Sequence, residues 1–119
     1  MKKCPTFYAN IYCGVRPAYR EERADILSIR VKIAKEKCQQ FCDDVGLGLT
    51  FTETTFIYTD GNEPGVIVGL INYPRFPSSA TIIRHTAKSL AKILLESLEQ
   101  ERLSIMFPDE TLMLEKADL

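Results

Sequence analysis

From Phe7 to Val15 the sequence alternates, with Phe7, Ala9, Ile11, Cys13 and Val15 set against Tyr8, Asn10, Tyr12 and Gly14. From about Asp25 the pattern changes, and Leu27, Val31, Ala34, Cys38, Phe41 and Val45 recur in steps of four and three. The first spacing puts side chains on alternate faces of a strand; the second gathers them on one side of a helix. This change of period, repeated later in the chain, constrains the fold more than any other feature.

Ile26, Ile29 and Ile33 widen the helical stripe and predict a second buried contact for this helix. Gly46 supplies its stop. Before it, "GVRPAYREER" reads as a connection in which Pro17 favours a turn or a helix start. "LGLTFTETTFIYT" has the Thr and aromatic content of a strand. Its Leu49 and Phe51 fall in one phase and Phe56 and Tyr58 in the other, which predicts a bulge near Glu53. "DGNEPG" is a turn, and "VIVGLINY" is apolar in both phases, as in a strand covered on both faces or central in its sheet.

The helical period returns at Ile83, Ala87, Leu90, Leu94 and Leu98, with Arg84, Lys88, Lys92 and Glu96 on the opposite side. "LSIMF" and "TLMLE" are two further strands joined by the turn "PDE". The order strand, helix, strand, strand, helix, strand, strand predicts one α+β domain over residues 1–119. It is a ferredoxin-like β-α-β-β-α-β sandwich with an extra C-terminal strand, its antiparallel sheet carrying two helices on one face. Many unrelated functions use that architecture, so function has to come from particular residues.

Charge narrows the classes. A net charge of -1 lacks the basic excess of a non-specific nucleic-acid binder. "MKKCPTFYAN" has no long apolar run after its lysines, and no stretch approaches the ~20 apolar residues that span a bilayer. The expectation is a cytoplasmic protein without a membrane partner. The cysteines, Cys4, Cys13, Cys38 and Cys42, have no standard metal-ligand spacing, and His85 is the only histidine. Buried thiols are therefore expected, with no metal and no cofactor.

The stretch "NYPRFPSS", from Asn72 to Ser79, is the strongest site candidate. It delivers the chain to a helix N-terminus, where free N–H groups and the dipole favour an anion. Ser78 or Ser79 caps the helix, Arg75 and Arg84 flank it, and Tyr73 and Phe76 offer rings for stacking. His85 is next to Arg84 but about 100° round the helix, so the two need not share a target. The structural alternative is a connector stiffened by Pro74 and Pro77 and closed by an ordinary serine cap.

Tyr8, Asn10 and Tyr12 give the sheet a second, half-polar face. Burial in a homo-oligomer accounts for that face better than RNA binding, given the charge balance. Catalytic motifs are absent, and Asp43, Asp44, Glu53, Asp60, Glu63, Asp109 and Glu110 are scattered or lie in turns.

The segments "EPGVIVGLINYPRFP" and "SIMFPDETLMLE" resemble small uncharacterised proteins encoded by bacteriophages, over most of the second half of the chain. No functional residue carries over from that resemblance. It implies a protein that binds host molecules, among them nucleotide signals of antiviral immunity, and that works in the host cytoplasm. The expectation is a non-catalytic binder of a small anionic ligand, most plausibly a nucleotide or cyclic nucleotide. Its site comprises Tyr73, Arg75, Phe76, Ser78, Ser79, Arg84 and His85, with the arginines on phosphates. A phosphoesterase-type hydrolase using His85 and a carboxylate is one alternative, and a structural or protein-interaction module is another.

Overall fold

A computed structural model describes residues 1–17 and 21–119. Ala18, Tyr19 and Arg20, part of the expected connection, lie outside the described residues. The elements are β1 (Tyr8–Gly14), α1 (Ala24–Val45), β2 (Thr50–Tyr58), β3 (Gly61–Ile71), α2 (Ala80–Ser97), β4 (Arg102–Met106) and β5 (Thr111–Glu115). A short 3-10 turn, Lys116–Asp118, follows. The strands form one antiparallel sheet in the order β2-β3-β1-β4-β5. This is the expected α+β, ferredoxin-like arrangement with an added strand at one edge.

One face of the sheet makes the core. Ala9, Ile11 and Cys13 of β1, Val66, Val68 and Leu70 of β3, and Leu103 and Ile105 of β4 are buried. Against them pack Ala34, Cys38 and Phe41 of α1 and the full stripe Ile83, Ala87, Leu90 and Leu94 of α2, continued by Leu98. Gly46 ends α1 in the left-handed region at φ 77, its N–H bonding to the Cys42 carbonyl as a helix stop requires.

Two local expectations need correction. The widened stripe of α1 does not make a second buried contact at Ile29, which is half exposed; the buried residue beside it is Arg30. Nor does β2 bulge near Glu53, because its register with β3 runs unbroken from Thr50↔Gly69 to Tyr58↔Gly61. The change of hydrophobic phase has another cause. Phe51 faces the helices, while Phe56 and Tyr58 face the open side and lie across glycines of β3. A Cβ on Gly65 would come within 2.1 Å of Phe56 Cε2 and 2.9 Å of the Cys13 carbonyl oxygen, and one on Gly61 within 2.5 Å of Tyr58 Cε2. The rings occupy the room the glycines leave.

Gly65→Ala should therefore destabilise the protein by about 1–3 kcal/mol, as overpacking does. Gly48→Ala, with nothing within 4 Å of the added carbon, should be close to neutral. Urea unfolding of the two variants checks the contrast, and equal midpoints would rule out the ring-over-glycine packing.

Candidate functional site

Asn72 organises the connection between β3 and α2. Its backbone N–H donates to the Phe7 carbonyl at 2.9 Å, and its side-chain Nδ2 donates to the Pro5 carbonyl at 2.8 Å. Its Oδ1 accepts from the Ser78 N–H at 2.8 Å, and its carbonyl accepts from the Cys4 thiol at 3.4 Å. One amide thus ties the N-terminal segment to the start of α2. Between its anchors the chain turns tightly, with Phe76 N–H donating to the Tyr73 carbonyl at 2.9 Å and Pro74 and Arg75 in the middle. Ser79 is the cap, its Oγ accepting from Ile82 N–H at 3.1 Å.

The turn stands beside a cavity of about 490 Å³, a size common for small-molecule sites. The cavity lies where the end of α1 approaches the start of α2. Tyr73, Phe76 and Ser78 line it, together with Cys42, Val45 and Leu47 on one side and Ile71, Ile82 and Ile83 on another. Phe76 is 70% exposed, and Val45, Ile71 and Ile82 are each at least half exposed, so its rim is apolar. Ser78, Thr86, the Tyr73 phenol and the backbone of Gly46 to Gly48 are its polar elements. Burial, and then Asp43, push the Cys42 thiol up, so it is a neutral group at pH 7.

The other expected site residues do not line this cavity. Arg75 lies over the Phe76 ring, 5.1 Å from its centroid, and is exposed. His85 is on the exposed side of α2. Arg84 reaches instead to the turn between β4 and β5, bonding Asp109 at 2.8 and 2.9 Å and Glu110 at 2.8 Å. Its guanidinium also sits over the rings of Phe107 at 4.5 Å and Phe7 at 5.2 Å. Arg75 and Arg84, expected to converge on one phosphate, have their contacts on different segments: Arg75 lies on the ring of its neighbour Phe76, and Arg84 is bonded to the β4–β5 turn.

A second polar cluster stands at the opposite end of the sheet. Arg16 pairs with Glu63 at 3.2 Å; the nearby Tyr58 side chain first, and the carboxylate with it, hold its pKa above the usual value. Gln100 Nε2 donates to the Arg16 carbonyl at 2.6 Å and the Leu98 carbonyl at 2.8 Å. Gly14 opens the space between them, since a Cβ there would lie 3.0 Å from Gln100 Oε1 and 3.3 Å from Glu63 Oε1. Arg16 and Glu63 are about three-quarters buried. Sequence reasoning read Glu63 as turn chemistry and Arg16 as a connection. The usable signal was strand phase, which puts Arg16 in step with Tyr12 and Gly14, and Glu63 in step with Gly65 and Ile67.

Cys13 and Cys38 are buried thiols, each pushed up to about 12 by desolvation, with Cys38 adding to the shift at Cys13 and Cys42 to that at Cys38. Among the described residues no helix is long and apolar enough to cross a membrane.

No family model matches the chain, and no curated protein matches it. Solved structures do. A phage SAM lyase in complex with S-methyl-5'-thioadenosine aligns with a TM-score of 0.69 at 15% identity, covering 92% of this chain and 89% of that one. A phage SAM lyase in the apo state aligns with a TM-score of 0.68 at 16% identity, over 92% and 88%. At such identity the likeness is one of fold, and it agrees with the expected resemblance to phage proteins.

The Arg84 clamp has a pH signature. Arg84, chiefly by its hydrogen bond, holds the Asp109 carboxyl below its usual 3.8. A depressed pKa in the folded state contributes stability that is present above the unfolded value and is lost as pH falls through the folded one. The difference in Tm between the native chain and Asp109→Asn should therefore be constant above that pH and shrink below it. Thermal melts across an acid series check this, and a difference that grows on acidification would contradict the clamp.

Proposed function

We propose that this chain binds a small nucleoside of the S-adenosylmethionine class in the cavity beside Asn72–Ser79. The carrying observation is the cavity itself: nucleoside-sized, apolar, bordered by two aromatic side chains, and lined by no lysine or arginine. Such a lining suits a purine ring and a thioether better than a phosphate, whose negative charge needs a cation or several free N–H groups. The cavity also lies between opposite helix poles. The α1 end carries Asp43 and Asp44 with no basic residue in its last turn, and the α2 start has no acidic residue in its first. A cationic or zwitterionic arm is oriented by that pair of poles. The fold shared with a lyase that holds S-methyl-5'-thioadenosine supports the same ligand class.

A second reading, cleavage of S-adenosylmethionine, is favoured by the half-buried Arg16–Glu63–Tyr58 cluster. In that reaction a carboxylate oxygen of the substrate itself bonds the carbon as that carbon's bond to sulfur breaks. The bonding pair goes to sulfur, and the sulfonium becomes a neutral thioether. A carboxylate near the sulfonium serves binding of the cationic substrate and release of the neutral product; because the charge is lost as the bond breaks, it does not itself speed the cleavage. We further propose a homo-oligomer formed through the open sheet face that carries Tyr8, Asn10 and Tyr12. This working form suits either reading.

Calorimetry with S-methyl-5'-thioadenosine and with S-adenosylmethionine tests the proposal. Phe76→Ala should weaken binding about tenfold, the order of one lost ring contact with its buried area, while Glu63→Gln should leave it unchanged. The reverse outcome moves the ligand to the Glu63 cluster, and no binding of either compound ends the nucleoside reading. Chromatography of S-adenosylmethionine after incubation separates the two roles: the intact compound means binding, and S-methyl-5'-thioadenosine lost on Glu63→Gln means cleavage.

A further inference from the structure

The geometry points to the tip of the β2–β3 hairpin, from Phe56 to Glu63, as an arm that laps the open sheet face of a second copy of this chain. This rests on the homo-oligomer reading above and specifies how the copies engage.

The strand registers define the arm. β1 pairs with β3 only as far as Gly14↔Gly65, and one further backbone bond, Val15 N–H to the Pro64 carbonyl, closes that ladder. Beyond it β2 and β3 continue with each other alone, through Phe56↔Glu63, Ile57↔Asn62 and Tyr58↔Gly61. At ~3.3 Å per residue this overhang is roughly 10 Å long. A two-stranded hairpin is marginal in water without a surface to pack on. This one nonetheless carries Ile57 at 83% exposure and Tyr58 at 50%, on opposite faces. At its base, Arg16 holds it by the ion pair to Glu63.

The open face supplies the seat. Strand register assigns to it Tyr8, Asn10 and Tyr12, Ile67 and Ile71, Ser104 and Met106, and Met113, of which Ile71 and Met113 are half exposed. Its charges come in opposite pairs, Arg16 with Glu63 and Arg102 opposite Glu115 in register. A face with balanced charge does not repel its own copy, and it offers no cationic excess to nucleic acid or anionic lipid.

Area decides that face and arm act together. Five strands at ~4.8 Å spacing and ~20 Å length make a planar face of roughly 480 Å². A standard interface buries about 800 Å² per partner. The two sides of the arm add roughly 200 Å² by the same spacings, which closes most of the gap. In a two-fold assembly each copy gives one arm and receives one, so a single chemistry covers both exposed surfaces.

Sedimentation velocity on the full chain is the test, with Ile57→Lys as the arm variant and Met113→Lys as the face variant. The native chain is expected to be a dimer or larger, and each variant should raise the dissociation constant at least tenfold. Both positions are exposed, so circular dichroism should show an intact fold. A native chain that is monomeric at every concentration overturns both the arm and the homo-oligomer reading. Loss of assembly by Met113→Lys with Ile57→Lys unaffected overturns the arm alone. The converse overturns the open face as its seat. Hydrogen exchange gives an independent measure: amides of residues 56–63 should slow as concentration rises, and exchange independent of concentration overturns the proposal.

Discussion

Arg30 sits where the rest of the fold has to meet. It projects from α1, is 8% exposed, and donates from Nε to the Val15 carbonyl and from Nη2 to the Leu98 carbonyl. Its third contact is the Glu99 carboxylate at 3.1 Å. One guanidinium thereby joins the segment just after β1, the first helix and the end of the second. A buried charge is costly unless its donors are matched, and an unmatched buried carbonyl costs about 1–3 kcal/mol. Here the two needs meet: carbonyls at a helix C-terminus lack helical partners, and at Leu98, just past α2, the arginine and Gln100 Nε2 both supply one. Glu99, held in the left-handed region at φ 53, takes the chain out of α2 beside this contact.

The same economy governs the other end of the molecule. Arg84 fastens the β4–β5 turn to α2 and lies over Phe7 and Phe107, whose rings stack 6.1 Å apart. Asn72 fastens the N-terminal segment to the loop. The charged and amide side chains of Arg84 and Asn72 are used between elements. What they leave beside the loop is an apolar hollow, so the electrostatics there come from helix ends rather than from side-chain cations.

These attachments also explain what could and could not be read from the sequence. The stripe of α2 and the Ser79 cap were legible because each is a local pattern, set by neighbours within a turn or two. The change of phase in β2 was visible, but its cause was not: Phe56 and Tyr58 cover glycines on another strand, and only the register of β2 with β3 reveals it. Arg30 was hidden for a related reason. Its partners include a carbonyl 68 residues away, and in one dimension it reads as a polar interruption of the stripe. The site was half legible. Tyr73, Phe76 and Ser78 do come together at one cavity, but the acidic partners that claim Arg84 lie 25 and 26 residues further along.

The two ends of the sheet therefore differ in kind. At the loop end, rings and aliphatic side chains border a hollow flanked by helix poles. At the hairpin end, an arginine, a carboxylate, a phenol and an amide gather over glycine. The proposed binding of a purine uses the first end, and the proposed cleavage of a sulfonium uses the carboxylate of the second. Strands of this length separate the two by roughly 20 Å within one chain, at ~3.3 Å per residue. A single small ligand does not reach both ends of one copy. The two proposed readings are thus competing placements on this fold rather than successive steps in one pocket, unless a second copy brings the opposite end of its own sheet alongside.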